Sequence, residues 1–580
     1  MEPTDKPFPF GLRARLSQVV RSDGGVGLAA ALLCALAAGA ALRLWNLGAQ
    51  VMSGDEFHAI FAAHDRSVTR LLFFYQEADN CIPLSVIDRM LIDRGVDLTE
   101  WILRLPVLIA GFALLALAPV WAFRRLGAGT AVALAWLVAI SPGLVFYCRI
   151  ARSYSPATLF ACAAVAAFEV WHRRGGLLPA AIYVASAVAA VWFHLGVAPL
   201  ALSPFLVAAL ALTTPAPQGR TRGKALARLL WLGAATAAAL AALLAPAHRT
   251  LLPFLAGKHG RLEVSPREAV EVGEWIAGIG SRWAGAAVAA AAAAAVGAIF
   301  LAGLALLCRR HGWLGGFVLA AVAAQLASVL VLAPVAHQST IVFARYLVFA
   351  LPLALVPIAA ALGGPWPPRW RAAQPWLAAA AGAGLFACGP FLDGELARTS
   401  FAHNELYLRF TEPRPRLDGA GPVAVYDWLA RAAPGAVIEL PWDPIFMFDR
   451  ALGLYQAQHG RQVVVAGNLK DPRLAFRNMT SSQPDKLLAA PGRWLIVHRA
   501  IVREAARIGG NPWEATRELR RAFRGRALAE AAAYRTRWGP PAYEDDWAIV
   551  WDLDRVRQEV RPRFEAIRCR SASGWRLAGN

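Results

Sequence analysis

An aspartate and a glutamate lie side by side just beyond the first long apolar stretch of the chain. Asp55 and Glu56 belong to the sequence Gly54-Asp55-Glu56-Phe57-His58, where a membrane helix would meet water. A carboxylate there can act as a general base toward a hydroxyl group, and His58 could join the pair as a metal ligand. A solvated acid at a helix end is the simpler interpretation. The position at the mouth of a membrane segment favours the catalytic one.

Arginine and tyrosine recur at the predicted outer ends of two later apolar stretches. One group is Arg149, Arg152 and Tyr154, and the other is Arg345 with Tyr346. A guanidinium group matches a phosphate bidentately, but arginines at span ends also extend toward lipid headgroups. Because arginines concentrate on the cytoplasmic side of membrane proteins, two at an outer end require a cause. A bound phosphate supplies one, and headgroup contact stays the alternative.

Other polar side chains near the first pair would support the same region. Glu77 and Asp79 precede a second amphipathic piece and would face Asp55, and Arg104 would hold the loop where the second span begins. Together with His58 they form the predicted support of the acceptor side. His194 and His337 are interpreted as interior histidines.

The composition identifies a membrane protein. Hydrophobic residues make up 57% of the 580 residues, and many apolar segments reach the roughly 20 residues that cross a bilayer. The formal charge is +20, but much of the excess is arginine in short loops, as expected for cytoplasmic loops. No aromatic–basic motif accompanies the charge, so nucleic-acid binding is excluded. The seven cysteines show neither a disulfide framework nor zinc spacing.

The apolar stretches predict about eleven transmembrane helices, and an odd number of spans places the two termini on opposite sides. The N-terminus would be cytoplasmic. The predicted spans with the clearest limits are 27–44, 102–123, 129–147, 229–246 and 376–392. Residues 45–100 contain no span, but 68–75 and 82–92 are amphipathic and predict helices in the outer interface. Residues 1–392 are thus predicted to form the membrane module, and the richness in alanine and arginine suggests a bacterial protein of the inner membrane.

From residue 393 onward the composition changes and no spanning segment remains. Residues 393–580 are predicted to form an extracytoplasmic α/β domain, large enough for its own core. The predicted strands are 436–440, 462–466, 494–498 and 548–551, and the predicted helices are 421–432 and 512–530. The fold class is therefore a polytopic α-helical membrane protein with a C-terminal extracytoplasmic α/β domain.

The order of these elements resembles the GT-C class of polyprenyl-phosphate-sugar-dependent glycosyltransferases, in particular the protein O-mannosyltransferase and aminoarabinose-transferase group. The resemblance covers about residues 1–390. It is carried by five short motifs: Gly54-Asp55-Glu56, Pro83-Leu84, Glu100-Trp101 through Pro106, Ser141-Pro142 through Tyr154, and Arg345-Tyr346-Leu347. Two features depart from the family: the stretch after the third span has no acidic residue, and Ile82-Pro83 replaces a double proline.

The resemblance implies transfer of a hexosyl or pentosyl group from a polyprenyl-phosphate carrier to an acceptor hydroxyl on the extracytoplasmic face. Asp55 would be the base, with Glu56 beside it, and one displacement would invert the anomeric configuration. No cofactor is obligatory, because the leaving group is already a phosphate monoester; a divalent metal is possible but not favoured. The implied partners are the lipid-linked donor, membrane lipid, and a glycan, lipid or protein acceptor.

Three other classes of protein are compatible with the sequence. One is a lipid-linked glycan ligase or polymerase. Another is a polytopic lipid or sugar transporter, which would carry ionisable residues at mid-membrane, so Glu169 and Gln325 bear on it. The third is a non-catalytic scaffold that presents the C-terminal domain.

Overall fold

The computed structural model describes most of the helical part of the chain and portions of the C-terminal part. The described residues are 25–45, 47, 56, 59, 62–63, 66–73, 75, 82–96, 100–213, 222–257, 285–332, 345–364, 373, 379–380, 423–440, 487–488, 492–498, 531–546 and 548–559.

The polytopic helical architecture is confirmed. Among the described residues, six helices are long and apolar enough to cross a membrane by length and composition, and four shorter apolar helices accompany them. The helices of this part are α1 (Gly25–Leu44), α2 (Val68–Phe73), α3 (Ile82–Asp93), α4 (Glu100–Leu126), α5 (Ala128–Ile140), α6 (Pro142–Tyr147), α7 (Tyr154–Arg174), α8 (Leu177–Phe193), α9 (Ala198–Leu202), α10 (Pro204–Ala211), α11 (Arg222–Leu244), α12 (His248–Gly257), α13 (Gly285–His311), α14 (Trp313–Leu332) and α15 (Leu351–Gly363).

The predicted interfacial helices at 68–75 and 82–92 correspond to α2 and α3. Ten of the predicted spans coincide with apolar helices. The eleventh, at 376–392, lies outside the described residues except for 379–380. Which side of the membrane each terminus occupies stays a prediction.

Two predicted spans are broken where proline interrupts the helix. The span predicted at 129–147 ends as α5 at Ile140, because the residue before a proline avoids the helical conformation. Ser141 is accordingly extended (φ −57°, ψ 117°), and α6 starts at Pro142. The span after His194 is divided into a 3₁₀ turn (Leu195–Val197), α9 and α10, and α10 starts at Pro204, although Ser203 before it keeps helical dihedral angles (φ −53°, ψ −29°). These breaks place backbone carbonyls and polar side chains near the helix ends.

The limits of another predicted span are wrong at its start. The span predicted at 229–246 begins earlier than expected, because α11 begins at Arg222. Arg222, Lys224 and Arg228 therefore lie on its first two turns. Lysine and arginine are good helix formers, so the helix continues into the basic stretch.

The chain forms two compact units, the first comprising Met1–Leu47, Leu72–Leu84 and Trp101–Leu396. Within it, α5 packs against α1 and α15, α13 packs against α15, and α7 packs against α8. Glycine allows two of these helix pairs to approach closely: a methyl group on Gly363 would overlap the backbone of Thr130, and one on Gly303 would overlap that of Pro357. Small residues at such crossings are typical of membrane helix packing.

The second unit comprises Gly48–Leu71, Ser85–Glu100 and Ala397–Asn580. Its sheet has the order β1-β2-β4-β3, with β1 (Val437–Leu440), β2 (Trp494–His498), β3 (Tyr543–Glu544) and β4 (Ala548–Asp552). β1 and β2 are parallel, with Val437 opposite Trp494, and the other pairs are antiparallel. Three of the four predicted strands are thereby confirmed, while 462–466 and 512–530 lie outside the described residues.

Both faces of this sheet are covered, as the alternation of side chains along a strand requires. Helix α16 (Val423–Arg431) packs on one face through Val425, Tyr426 and Leu429. The helical segment 531–538 packs on the other face through Tyr534 and Trp538. The described C-terminal part is therefore an α/β structure with its own core.

Candidate functional site

Arg43 holds the end of α5 from the neighbouring helix α1. Its side chain is fully buried, and its guanidinium donates from Nη1 to the carbonyl of Ala139 at 3.1 Å and from Nη2 to that of Val138 at 3.1 Å. The last carbonyls of a helix have no intrahelical donor, and a cation there also interacts favourably with the helix dipole. Arg43 thus compensates for the break that Pro142 introduces.

Arg149 makes a similar hydrogen bond in the opposite direction, from the segment after α6 to a carbonyl of α1. It lies just after α6, is buried, and donates from Nη1 to the carbonyl of Leu42 in the last turn of α1 at 2.6 Å. The predicted alternative, an arginine extended toward lipid headgroups, is therefore wrong for this side chain. Instead, Arg43 and Arg149 join α1 to the α5–α6 break from both sides.

Two further buried arginines belong to this region. Arg104, near the start of α4, donates from Nη1 to the carbonyl of Leu47 at 3.3 Å. Arg152 is buried directly before α7. The charges of Arg104 and Arg149 act on each other. We refer to Arg43, Arg104, Arg149 and Arg152 as the arginine cluster.

Rings from three parts of the chain meet beside the arginine cluster. Tyr154, the first residue of α7, lies 5.3 Å from His194 and 6.4 Å from Tyr346 between ring centroids. His194 also lies 5.6 Å from Tyr346 and 4.8 Å from Phe349, and Tyr147 lies 4.6 Å from Tyr154. We refer to these five residues as the aromatic–histidine cluster. It marks the Tyr154 end of the first unit.

The orientation of the His194 ring follows from a hydrogen bond. The backbone N–H of Gly196 donates to His194 Nδ1 at 3.1 Å, so Nδ1 is the acceptor and a neutral ring carries its proton on Nε2. His194 is an interior histidine, as predicted. It nevertheless belongs to the same cluster as Tyr154 and Tyr346, which the sequence did not indicate.

Gln325 of α14 fixes the segment that precedes α15. Its Nε2 donates to the carbonyls of Gly196 and Tyr346, both at 3.0 Å. Arg345 in turn donates from Nη2 to the Tyr346 hydroxyl at 3.2 Å, with its guanidinium carbon 5.1 Å from the centre of that ring. A cation over an aromatic face is held electrostatically. One glutamine therefore links the His194 turn to the Arg345–Tyr346 pair.

The structure thus brings together the arginines and tyrosines that were predicted to bind a phosphate. Arg149, Arg152 and Tyr154 lie at the same end of the unit as Arg345 and Tyr346, with Arg104 nearby. Three residues were missed: Arg43, His194 and Gln325. Arg43 carried the signal that singled out Arg149, an arginine at a predicted outer span end, whereas neither His194 nor Gln325 had a sequence signal for its partners.

Of the acidic residues predicted to belong to the site, the structure describes only Glu56. Glu56 is buried, with 1% of its surface exposed, and it belongs to the second unit. Asp55, His58, Glu77 and Asp79 lie outside the described residues. In the described part of the chain, no three His, Cys, Asp or Glu side chains come together as a metal site requires.

The two clusters have complementary chemistry. Guanidinium groups bind phosphate oxygens through several N–H donors at once, and a buried environment strengthens that interaction. Aromatic rings offer broad apolar surface next to hydroxyl and imidazole groups. A ligand with a phosphate joined to a less polar body fits this combination better than a small inorganic anion does.

No protein-family model matches the sequence, and no curated protein matches it. The backbone is similar to ArnT from Cupriavidus metallidurans in the apo state, with a TM-score of 0.43 and 14% identity over 78% of each chain. ArnT from that organism bound to undecaprenyl phosphate gives a TM-score of 0.45 and 13% identity over 89% of this chain and 97% of that one. The Archaeoglobus fulgidus oligosaccharyltransferase, in complex with Zn and sulfate, gives a TM-score of 0.36 and 12% identity over 80% of this chain and 67% of that one.

At these TM-scores the similarity carries no argument about function, which we therefore argue from the residues of this chain.

Proposed function

We propose that this protein is a membrane glycosyltransferase that moves a sugar from a polyprenyl-phosphate carrier to an acceptor hydroxyl. The observation that supports this most is the meeting of two distant stretches, 149–154 and 345–346, beside buried arginines. Tyr154 and Tyr346 are 6.4 Å apart there, and Arg345 is bound to the Tyr346 hydroxyl. A prenyl tail would keep the donor in the bilayer and bring its phosphate to the depth of these helix ends.

The arginines would act on the leaving group. As the bond between the anomeric carbon and the phosphate oxygen breaks, negative charge grows on a phosphate that stays attached to the lipid. Arg152 and Arg345, with Arg149 behind them, would stabilise that charge in a site from which water is largely excluded. Arg43 and Arg104 would position the helix ends, since Arg43 donates to the carbonyl of Ala139 and Arg104 to that of Leu47.

Asp55 is the proposed general base, with Glu56 beside it. Its carboxylate would accept the proton of the acceptor hydroxyl while that oxygen forms the new bond to the anomeric carbon from the face opposite the phosphate. A single displacement of this kind inverts the configuration. The products are the glycosylated acceptor and the free polyprenyl phosphate, and we place the reaction on the extracytoplasmic face of the inner membrane.

The two residues that would have suggested a transporter have other partners. Glu169 binds Arg125 and Arg173 at the end of α7, and Gln325 binds two backbone carbonyls. Ion pathways depend on ionisable groups exposed to a cavity at mid-membrane. Neither residue therefore favours transport.

The experiment that tests the proposal compares prenyl-linked sugars in membranes of cells with the gene, without it, and with Asp55→Asn. We expect one prenyl-phosphate sugar to accumulate in the deletion strain and in the Asp55→Asn strain. Loss of a general base typically lowers the rate by about 10²–10⁴-fold. Asp93→Asn is the matched control, because Asp93 is exposed at the end of α3 and pairs with Arg89.

Equal prenyl-sugar pools in all strains, with protein amounts verified by immunoblot, would contradict the proposed function. Accumulation in the deletion strain but not in the Asp55→Asn strain would support lipid-linked transfer and remove Asp55 from its role as the base.

A further inference from the structure

The end of α7 opposite Tyr154 gathers cations from several helices. α4 ends with Arg124 and Arg125, α7 ends with Arg173 and Arg174, and α13 ends with Arg309 and Arg310. α11 begins there with Arg222, Lys224 and Arg228. We refer to this region as the Arg174 end of the first unit.

A buried carboxylate organises part of the Arg174 end. Oε1 of Glu169 lies 2.5 Å from Arg125 Nη2 and 2.7 Å from Arg173 Nε, and the glutamate side chain is 1% exposed. One acid therefore holds two guanidinium groups from different helices. The charges of Arg125, Arg173 and Arg310 also act on His311, which brings the end of α13 into the same region. The net charge of this group of residues is positive.

Arg228 is held against the terminus of α7. Its guanidinium carbon lies 5.3 Å from the centre of the Trp171 ring, and Nη2 approaches the Trp171 carbonyl at 3.5 Å. Gly175, with φ +73°, leaves room for this contact, since a Cβ there would lie 2.5 Å from Arg228 Nη2. Arg228 is thereby fixed next to Arg174. Both side chains are exposed, and among the described residues neither forms an ion pair with a carboxylate.

An exposed aromatic side chain follows Arg228 by one turn on the same side of α11, because residues at i and i+3 share a helix face. This side chain is Trp231, which is 54% exposed. Leu226 and Leu230 are also exposed but lie on the opposite side of α11 from Arg228. Trp313 at the start of α14 is 39% exposed and lies 6.0 Å from His172. Tryptophan is enriched where membrane helices meet the headgroup layer. The surface thus changes from cationic to apolar within two turns of one helix.

We propose that Arg174 and Arg228 bind the phosphodiester of an anionic phospholipid, whose acyl chains begin beside Trp231. A free phosphate ion would use the cations but not the adjoining apolar surface, whereas a phospholipid uses both. Basic recesses between membrane helices are known to suit such headgroups. The site lies at the other end of α7 from Tyr154 and Tyr346, so it is distinct from the proposed donor site and does not depend on the proposed function.

The test is native mass spectrometry of the full-length detergent-solubilised protein with phosphatidylglycerol or phosphatidylcholine. We expect wild type to bind phosphatidylglycerol in preference to phosphatidylcholine. Arg174→Gln/Arg228→Gln should weaken phosphatidylglycerol binding by about 30-fold, from the contribution of each cation near a membrane surface. Arg249→Gln/Arg431→Gln removes the same charge from exposed positions elsewhere and should leave binding unchanged. Arg174→Lys/Arg228→Lys retains the charge and should keep most of the binding.

Three outcomes would overturn the proposal: undiminished phosphatidylglycerol binding in the Gln double variant, equal loss in the Arg249/Arg431 control, or displacement of the lipid by millimolar inorganic phosphate. Size-exclusion chromatography verifies that each variant is folded. If the Gln double variant does not fold, Arg228→Gln alone decides, and wild-type binding by that variant would equally overturn the proposal.

Discussion

Gly111 of α4 and Cys148 lie so close together that a methyl group on Gly111 would overlap the Cys148 Cβ. Cys148 is buried and directly precedes Arg149, whose guanidinium binds the carbonyl of Leu42. The absence of a side chain at Gly111 therefore determines how closely the arginine-bearing segment approaches α4. A position inside an apolar helix thus controls the geometry of the proposed donor site.

Gly111→Ala should displace the Cys148–Arg149 segment, because the Cys148 Cβ can move away from the new methyl group only if its backbone moves. We expect a loss of stability of about 1–3 kcal/mol, the usual result of overpacking, together with reduced transfer activity. The measurement is thermal unfolding of the purified protein followed by a transfer assay. Gly297→Ala is the matched control, because nothing lies within 4 Å of its Cβ position and alanine is favoured over glycine in a helix. Unchanged stability and activity in Gly111→Ala would contradict this packing.

Gln325→Met should loosen the Arg345–Tyr346 pair. The variant keeps the side-chain length but leaves the carbonyls of Gly196 and Tyr346 without their donor, which costs about 1–3 kcal/mol for a buried group. We expect a lower melting temperature and weaker donor binding. Leu326→Met, at the neighbouring exposed position of α14, should change neither. Equal behaviour of the two variants would show that Gln325 does not position Tyr346.

Glu169→Gln should strongly destabilise the first unit. It removes the carboxylate that lies between Arg125 and Arg173, and with it the negative charge that this side chain supplies to both guanidinium groups. Breaking a buried ion pair costs about 3–5 kcal/mol. In Glu169→Gln/Arg125→Gln the loss should be smaller than the sum of the two single losses, because one uncompensated charge is also removed. Additive losses in this double-mutant cycle, measured by thermal unfolding, would show that the two residues do not interact.

Asp88 should make the stability of its unit depend on pH. It lies on α3 one turn after the buried Ser85, and burial raises its pKa to about 8. Because the folded state holds this proton more tightly than the unfolded chain does, the contribution of Asp88 is most favourable below about pH 4. It declines as the pH rises toward 8, where the folded-state carboxyl ionises.

Asp88→Asn should remove this decline, which is measured as the midpoint of thermal unfolding between pH 5 and 9. Asp93→Asn should leave the decline between pH 5 and 9 unchanged, since a hydrogen bond from Arg89 holds the pKa of Asp93 below its usual value. Any contribution of Asp93 is therefore lost only in acid. The same pH profile in wild type and Asp88→Asn would exclude a buried neutral carboxyl at position 88.

The existence and order of the helices could be predicted from the sequence alone. The length of each apolar run and the placement of Arg124–Arg125, Arg173–Arg174 and Arg309–Arg310 are local properties, and so are the strands at 437–440, 494–498 and 548–552. The breaks were missed although their cause is local, because Pro142 and Pro204 were passed over within longer apolar runs. The same local information located the arginines and tyrosines near 149–154 and 345–346.

Only the tertiary structure determined which of those residues meet and what each one binds. The acceptors of Arg43, the carbonyls of Val138 and Ala139, belong to another helix, so they could not be identified from the sequence. His194 and Gln325 acquire partners only when α7, α14 and the start of α15 pack side by side. A side chain's hydrogen-bonding partners depend on which helices become neighbours, and apolar periodicity records that a face is buried but not what covers it.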